Sequence, residues 1–209
     1  MSQRQKIGLR KTHSSMHKRG VERRSHLLKA AFDLLCERDI EDISFRDIAR
    51  RAGVPEGSAY HFYANRFDLY TALAGDLSKL FVTAHKCPIP ENCKSDWRTL
   101  AKHFISTGVN VYRNNPPARQ LLIGGKTPPQ VKLTDRLNDR EIARVMARIF
   151  TKYFSAQKET DLETVFYYFI EITDLVFSLS VIEHGEITDE MIQQAQFAGI
   201  GYLANFFEH

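Results

Sequence analysis

The chain has 209 residues, 43% of them hydrophobic and 26% charged, which is the balance of an ordinary globular protein of one large or two small domains. No apolar run is expected to reach the roughly 20 residues that cross a bilayer, because Glu171 and Asp174 interrupt the best candidate. The basic N-terminus lacks the apolar centre of a signal peptide, so the expectation is a cytoplasmic protein with no membrane partner.

Charge is uneven along the chain. Residues 1–66 hold 14 Lys+Arg against 8 Asp+Glu, a net of +6, while the remaining residues hold 15 against 17, a net of −2. Positive charge is thus gathered on one end, as a nucleic-acid footprint requires. Residues 1–20 are polar, basic and aperiodic, and are expected to form a disordered arm. From Val21 the pattern turns helical, with Leu27, Ala31, Leu34 and Leu35 on one stripe.

The segment Ser44 to Arg66 reads as two short helices around a tight turn. Ser44 is placed to cap the first, and Asp47, three residues on, can return a bond to the cap's amide. Phe45, Ile48, Ala49 and Ala52 make one apolar face. Gly53 supplies a left-handed stop, and Pro55 suits the first turn of a second helix running to about Phe62. That second helix carries Gly57, Ser58, Tyr60 and His61, small and hydrogen-bonding groups suited to a DNA groove. Asn65 caps a longer helix through Leu69, Leu73, Leu77 and Leu80. This is a helix-turn-helix, and its expected partner is a double-stranded DNA operator.

At these residues the run Leu27–Tyr70 resembles the DNA-binding domain of the TetR family of bacterial transcription regulators. LLKAAFDLLCERD is similar to that family's first helix, SFRDIARRAGV to its second, and PEGSAYHFYANRFDLY to its recognition helix and the start of the fourth. Three positions depart from the pattern. Asp39 stands where a glycine usually ends the first helix, Pro55 replaces a Ser or Thr cap, and Arg66 replaces a lysine. Tyr60, His61 and Arg66 are expected to grip phosphates, with Ser44 assisting, and Arg46, Glu56, Gly57 and Ser58 to read bases.

Every later segment has helical period. Lys86–Asp96 is a loop with Pro88 and Pro90, Trp97–Tyr112 a helix, and Ala118–Ile123 a short apolar piece ending at Gly124-Gly125. Helices are then expected over Val131–Phe154, Asp161–His184 and Thr188–Phe207, with Thr188 as a cap and Gly185 as a stop. The fold class is all-α: an N-terminal three-helix helix-turn-helix domain over residues 21–66, and a larger helical effector-binding and dimerisation domain over 67–209.

Catalysis finds no support. Gly125-Lys126-Thr127 looks like the end of a P-loop, but position 120 is Gln120 and Pro128-Pro129 follow. Cys36, Cys87 and Cys93 lack CxxC spacing and the histidines are scattered, so no metal and no cofactor are expected. Phe104, Val111, Tyr112, Phe150, Phe169 and Thr173 offer an aromatic interior of the kind that encloses small molecules, and the resemblance implies an unidentified effector there. Glu171 and Asp174 stand amid apolar residues, where they face solvent, pair with an arginine such as Arg144 or Arg148, or meet a cationic effector; solvent or arginine is the expectation. The last two helices are apolar on more than one side, and Ala195, Ala198, Gly199, Gly201 and Ala204 admit a close partner. The resemblance implies a homodimer through these helices. The competing class is a helical small-molecule-binding or enzymatic protein with a vestigial DNA-binding head.

Overall fold

The structure, a computed structural model, describes residues 3–157 and 159–207, with side chains described from Arg19 onward. It divides into two compact units, Met1–Leu73 and Ala74–His209. The division falls inside a helix rather than at Arg66, because Leu69, Tyr70 and Leu73 are buried and belong to the first unit.

The first unit contains α1 (Gln3–Glu37), α2 (Phe45–Arg51), α3 (Glu56–Ala59) and the start of α4 (Arg66–His85). α1 begins at Gln3, where an arm without regular structure was expected over residues 1–20; Lys, Arg and Gln are good helix formers, and elongation from a formed helix costs little. Leu27, Ala31, Leu35, Ile43 and Ile48 form its core, each at most 1% exposed. α1 ends without a left-handed residue: Asp39 is extended (φ −66°, ψ 146°), and a short 3₁₀ turn, Ile40–Asp42, carries the chain to α2. The missing glycine therefore costs nothing. Arg51 of α2 pairs with Glu37 of α1 and ties the two helices at their exposed edge.

The second unit holds the rest of α4, then α5 (Trp97–Asn114), α6 (Pro116–Ala118), α7 (Pro129–Tyr153), α8 (Leu162–His184) and α9 (Asp189–Leu203). Asp96, Asp161 and Thr188 cap α5, α8 and α9 through their side chains, and Gly185 (φ 77°) closes α8. α8 packs between α7 and α9. By length and composition α8 is apolar enough to cross a membrane, contrary to expectation, since Glu171 and Asp174 are too few to lower its mean hydropathy. Its inward residues Phe166, Phe169, Thr173 and Phe177 are core.

Phe150 sits at the centre of an aromatic cluster, with ring centroids 4.5 Å from Phe166, 5.2 Å from Phe207 and 5.7 Å from Phe104. Each such buried ring contributes about 1.5–3 kcal/mol of transfer free energy. The Ala118–Ile123 piece is α6 followed by a π-helical turn, Arg119–Ile123. A Cβ on Gly124 would collide with the Gln120 carbonyl oxygen, so only glycine fits there. Thr127 Oγ1 donates to the Gly124 carbonyl at 2.7 Å, which makes Gly125-Lys126-Thr127 a turn device, with no strand before it among the described residues.

Candidate functional site

The helix-turn-helix is built from local bonds. Ser44 Oγ accepts from the Asp47 amide (3.1 Å) and donates to Asp47 Oδ2 (2.6 Å), which also accepts from the Ser44 amide (3.1 Å). This is the reciprocal cap expected from the sequence, worth about 1 kcal/mol. The Ser44 bonds hold the Asp47 carboxyl below its ordinary value. Gly53 is left-handed (φ 64°). Pro55 precedes α3 as its cap residue instead of entering its first turn. α3 is one turn long, shorter than the helix to Phe62 expected from the sequence; beyond Ala59 the chain continues in tight turns through Phe62.

The predicted site residues fall into two groups. Arg46 is 80% exposed at its side chain, and its Nε lies 3.9 Å from Glu56 Oε2. Gly57, Tyr60 and His61 are exposed and Ser58 is half-buried, so α2 and α3 bring these positions to one accessible ridge. Tyr60 leans on Phe45 with ring centroids 4.8 Å apart, which fixes its direction. Ser44 and Arg66 differ. The Ser44 hydroxyl is committed to Asp47, and Arg66 is half-buried, donating from Nη1 to the Ile43 carbonyl (2.8 Å) while its guanidinium stacks on Phe67 (5.0 Å). Arginine at this position thus ties the start of α4 to the residue before the Ser44 cap.

The second unit encloses a cavity of about 40 Å³. Phe104, Tyr112, Phe169 and Thr173 line it as the sequence reading expected. Val111 and Phe150 do not: Val111 borders an outer groove with Cys87 and His103, and Phe150 is committed to the aromatic cluster. The sequence reading missed Ser78, Phe81 and His85 on α4 and Asp135 and Asp139 on α7. A signal for the two aspartates existed. They fall at helical spacing on the stripe of Val131, Ile142 and Met146, where a buried apolar residue is the rule.

Electrostatics of this cavity are acidic. Asp135 and Asp139 are 5% and 6% exposed. Burial, reinforced by the Asp174 charge, pushes Asp135 up to about 8, and burial beside Asp135 raises Asp139 well above the carboxylate range. Asp174 accepts from Tyr112 Oη (2.9 Å) and is raised by burial to about 7, although it keeps partial exposure through a groove between α7 and α8. Glu171 pairs with Arg136 (3.2 Å) and not with Arg144 or Arg148. Arg144 is instead taken by Glu141 and Glu163. The His85 ring faces the Phe81 carbonyl through Nδ1 (2.8 Å) and the Phe104 carbonyl through Nε2 (3.3 Å), and burial depresses its pKa. No group of His, Cys, Asp and Glu that could hold a metal ion occurs among the described residues.

Ala195 and Gly199 are buried within the chain. A Cβ on Gly199 would lie 2.7 Å from Phe169 and 3.0 Å from Thr173. Both were expected to admit a partner subunit; Gly199 admits the chain's own α8. The outward faces carry Tyr168, Leu175, Leu179 and Ile182 on α8 and, on α9 and at its end, Phe197 with Ala198, Gly201 and Ala204, three of the five small residues expected there.

The domain described as "Bacterial regulatory proteins, tetR family" matches residues 27–73, and "Tetracyclin repressor-like, C-terminal domain" matches residues 95–207. No curated protein matches by sequence. Among solved structures, a TetR-family transcriptional regulator from Streptomyces coelicolor is similar at 21% identity and TM-score 0.63, covering 88% of this chain and 98% of its own. A TetR transcriptional regulator from Rhodococcus sp. RHA1 is similar at 16% identity and TM-score 0.64, with 88% and 97% covered. SmeT, the repressor of the Stenotrophomonas maltophilia multidrug efflux pump SmeDEF, is similar at 14% identity and TM-score 0.57, with 88% and 90% covered. These structures share the fold, while the two domain matches carry the family. The chain belongs to the TetR family of bacterial regulatory proteins and is a DNA-binding transcription regulator.

Proposed function

We propose that the protein is a cytoplasmic homodimeric repressor whose grip on an operator is released by a small apolar or aromatic molecule held in the second unit. Regulators of this family bind operators and small-molecule effectors and act as dimers. The observation that carries the reading is the place of α4. Its first turns belong to the helix-turn-helix unit, and its last turns supply Ser78, Phe81 and His85 to the cavity wall. A molecule that fits only an enlarged cavity displaces the end of α4, and it releases the operator to the extent that it binds the displaced form better.

On this reading Arg46, Glu56, Gly57 and Ser58 read bases, with Glu56 holding the Arg46 guanidinium in place, and Tyr60 and His61 contact phosphates. Ser44 and Arg66 act from behind, keeping α2 and the start of α4 in position. The dimer forms through the outward apolar faces of α8 and α9, since several large apolar side chains left exposed on two neighbouring helices mark an interface. One isologous contact then sets two heads on one duplex. A gel shift with the DNA upstream of its own gene tests the proposal: retardation that survives excess random DNA supports it, and equal loss to both competitors counts against it.

A further inference from the structure

We propose that the cavity of the second unit takes an organic cation, an amine or quaternary ammonium carrying an aromatic or alkyl body. The inference rests on the effector reading above and names the chemistry of that effector.

Asp135 and Asp139 are more than nine-tenths buried, line the cavity wall, and have no hydrogen bond or ion pair among the described residues. Around them the carboxylates of Asp174 and Glu171 act in the same sense, while Lys132, and for Asp135 also Arg136, opposes. Both cations are already engaged, Lys132 Nζ with the Leu122 carbonyl (2.9 Å) and Arg136 with Glu171 (3.2 Å). Four carboxylates against two cations leave an acidic excess. Burial makes these unpaired carboxyls hold their protons, and a bound cation takes the protons' place by stabilising the ionised form.

The rest of the wall says which kind of cation. Phe81, Phe104, Tyr112, Phe169 and Phe177 surround the aspartates with aromatic rings, and Phe81 and Tyr112 already stack at 4.7 Å. Aromatic faces attract weakly hydrated cations that also offer apolar surface. A metal ion wants a shell of three or more ligating side chains, and none is assembled among the described residues. At about 40 Å³ the cavity has room for little more than water, so an aromatic cation enters only by moving the walls apart. Asp174 belongs both to the cavity and to the groove between α7 and α8.

The test uses the full chain and isothermal titration calorimetry with three probes: benzyltrimethylammonium, its neutral carbon isostere neopentylbenzene, and phenylacetate. The cation is expected to bind at least tenfold more tightly than the isostere, with phenylacetate weakest. Asp139→Asn and Asp135→Asn, nearly isosteric changes whose folding is checked by circular dichroism, are expected to bring that preference towards one. Failure of the cation to bind at millimolar concentration, a tighter isostere or phenylacetate, or an undiminished preference in both variants overturns the inference. A parallel gel shift separates it from the reading beneath it. A cation that binds through the aspartates without releasing operator DNA upholds the ligand class and sinks the effector role. Release by the neutral or anionic probe alone upholds the effector role and sinks the charge.

Discussion

Replacing Asp135 by Asn offers a quantitative check on the buried carboxylates. In the folded chain Asp135 is pushed up to about 8 by burial and by the Asp174 charge, whereas an unfolded aspartate titrates near its ordinary value of 3.8. A group whose folded pKa is raised holds its proton in the folded state while the unfolded state loses it. Its contribution to stability is therefore full below pH 3.8 and declines as pH rises towards 8. Each pH unit in that window is worth about 1.4 kcal/mol per proton. Between pH 5 and pH 7 the loss approaches about 3 kcal/mol, and about half of that remains if Asp139 and Asp174 share the protons. Asn carries no proton to lose. The stability of Asp135→Asn minus wild type should therefore grow by about 1.5 to 3 kcal/mol over that range. Urea denaturation at several pH values, at one protein concentration so that subunit association is constant, measures the difference. His85 works in the other direction, since its folded pKa is depressed and its stabilisation is lost as pH falls through its ordinary 6.5. That effect is common to both proteins and cancels. Lys132, Arg136, Glu171, Asp174 and Tyr112 are present in both, while Asp139 loses the Asp135 charge that helps to raise it, which is why the lower figure is half the upper. A difference that stays flat from pH 5 to pH 7 refutes the reasoning.

Arg46→Ala should lower discrimination between operator and random DNA by about 1–3 kcal/mol in competition gel shifts, while Tyr60→Ala should weaken both alike. Gly199→Ala should destabilise the chain by about 1–3 kcal/mol in thermal or urea melts, because its methyl group meets Phe169 at 2.7 Å inside a packed contact. Leu175→Asp, at a position 62% exposed in the single chain, should leave the fold intact and abolish dimers. Light scattering then falls from about twice 24.1 kDa towards one chain mass.

Much of the helix-turn-helix was legible because its signals are local. Ser44 and Asp47, three residues apart, make a cap whatever surrounds them, and Gly53 is read as a stop from its own backbone freedom. The same holds for Thr188 and Gly185 around α9 and α8. Features that depend on distant partners were not legible. Arg66 reads as a phosphate contact from its charge and position, and nothing local announces that its guanidinium also meets the Ile43 carbonyl, 23 residues earlier. Small residues on α9 advertise close packing without naming the partner, which for Gly199 is Phe169 of the same chain. Asp135 and Asp139 were passed over because charge on a long helix is ordinarily solvated, and only the packing of α4, α5, α7 and α8 puts a wall of aromatic rings before them. Asp174 was singled out correctly as unexpected, but its phenolic partner Tyr112 lies 62 residues away.

The most direct test of the account is hydroxyl-radical footprinting of the DNA upstream of the protein's own gene, with purified full-length protein. Two protected half-sites related by two-fold symmetry, their centres about 34–36 Å apart or at a larger multiple of the helical turn, are the predicted result. Arg46→Ala should erase the preference for those sites, and Leu175→Asp should erase the paired pattern. Uniform protection that follows no sequence, or a single half-site bound tightly by a monomer, contradicts the claim that this chain regulates transcription as a two-headed reader of an operator.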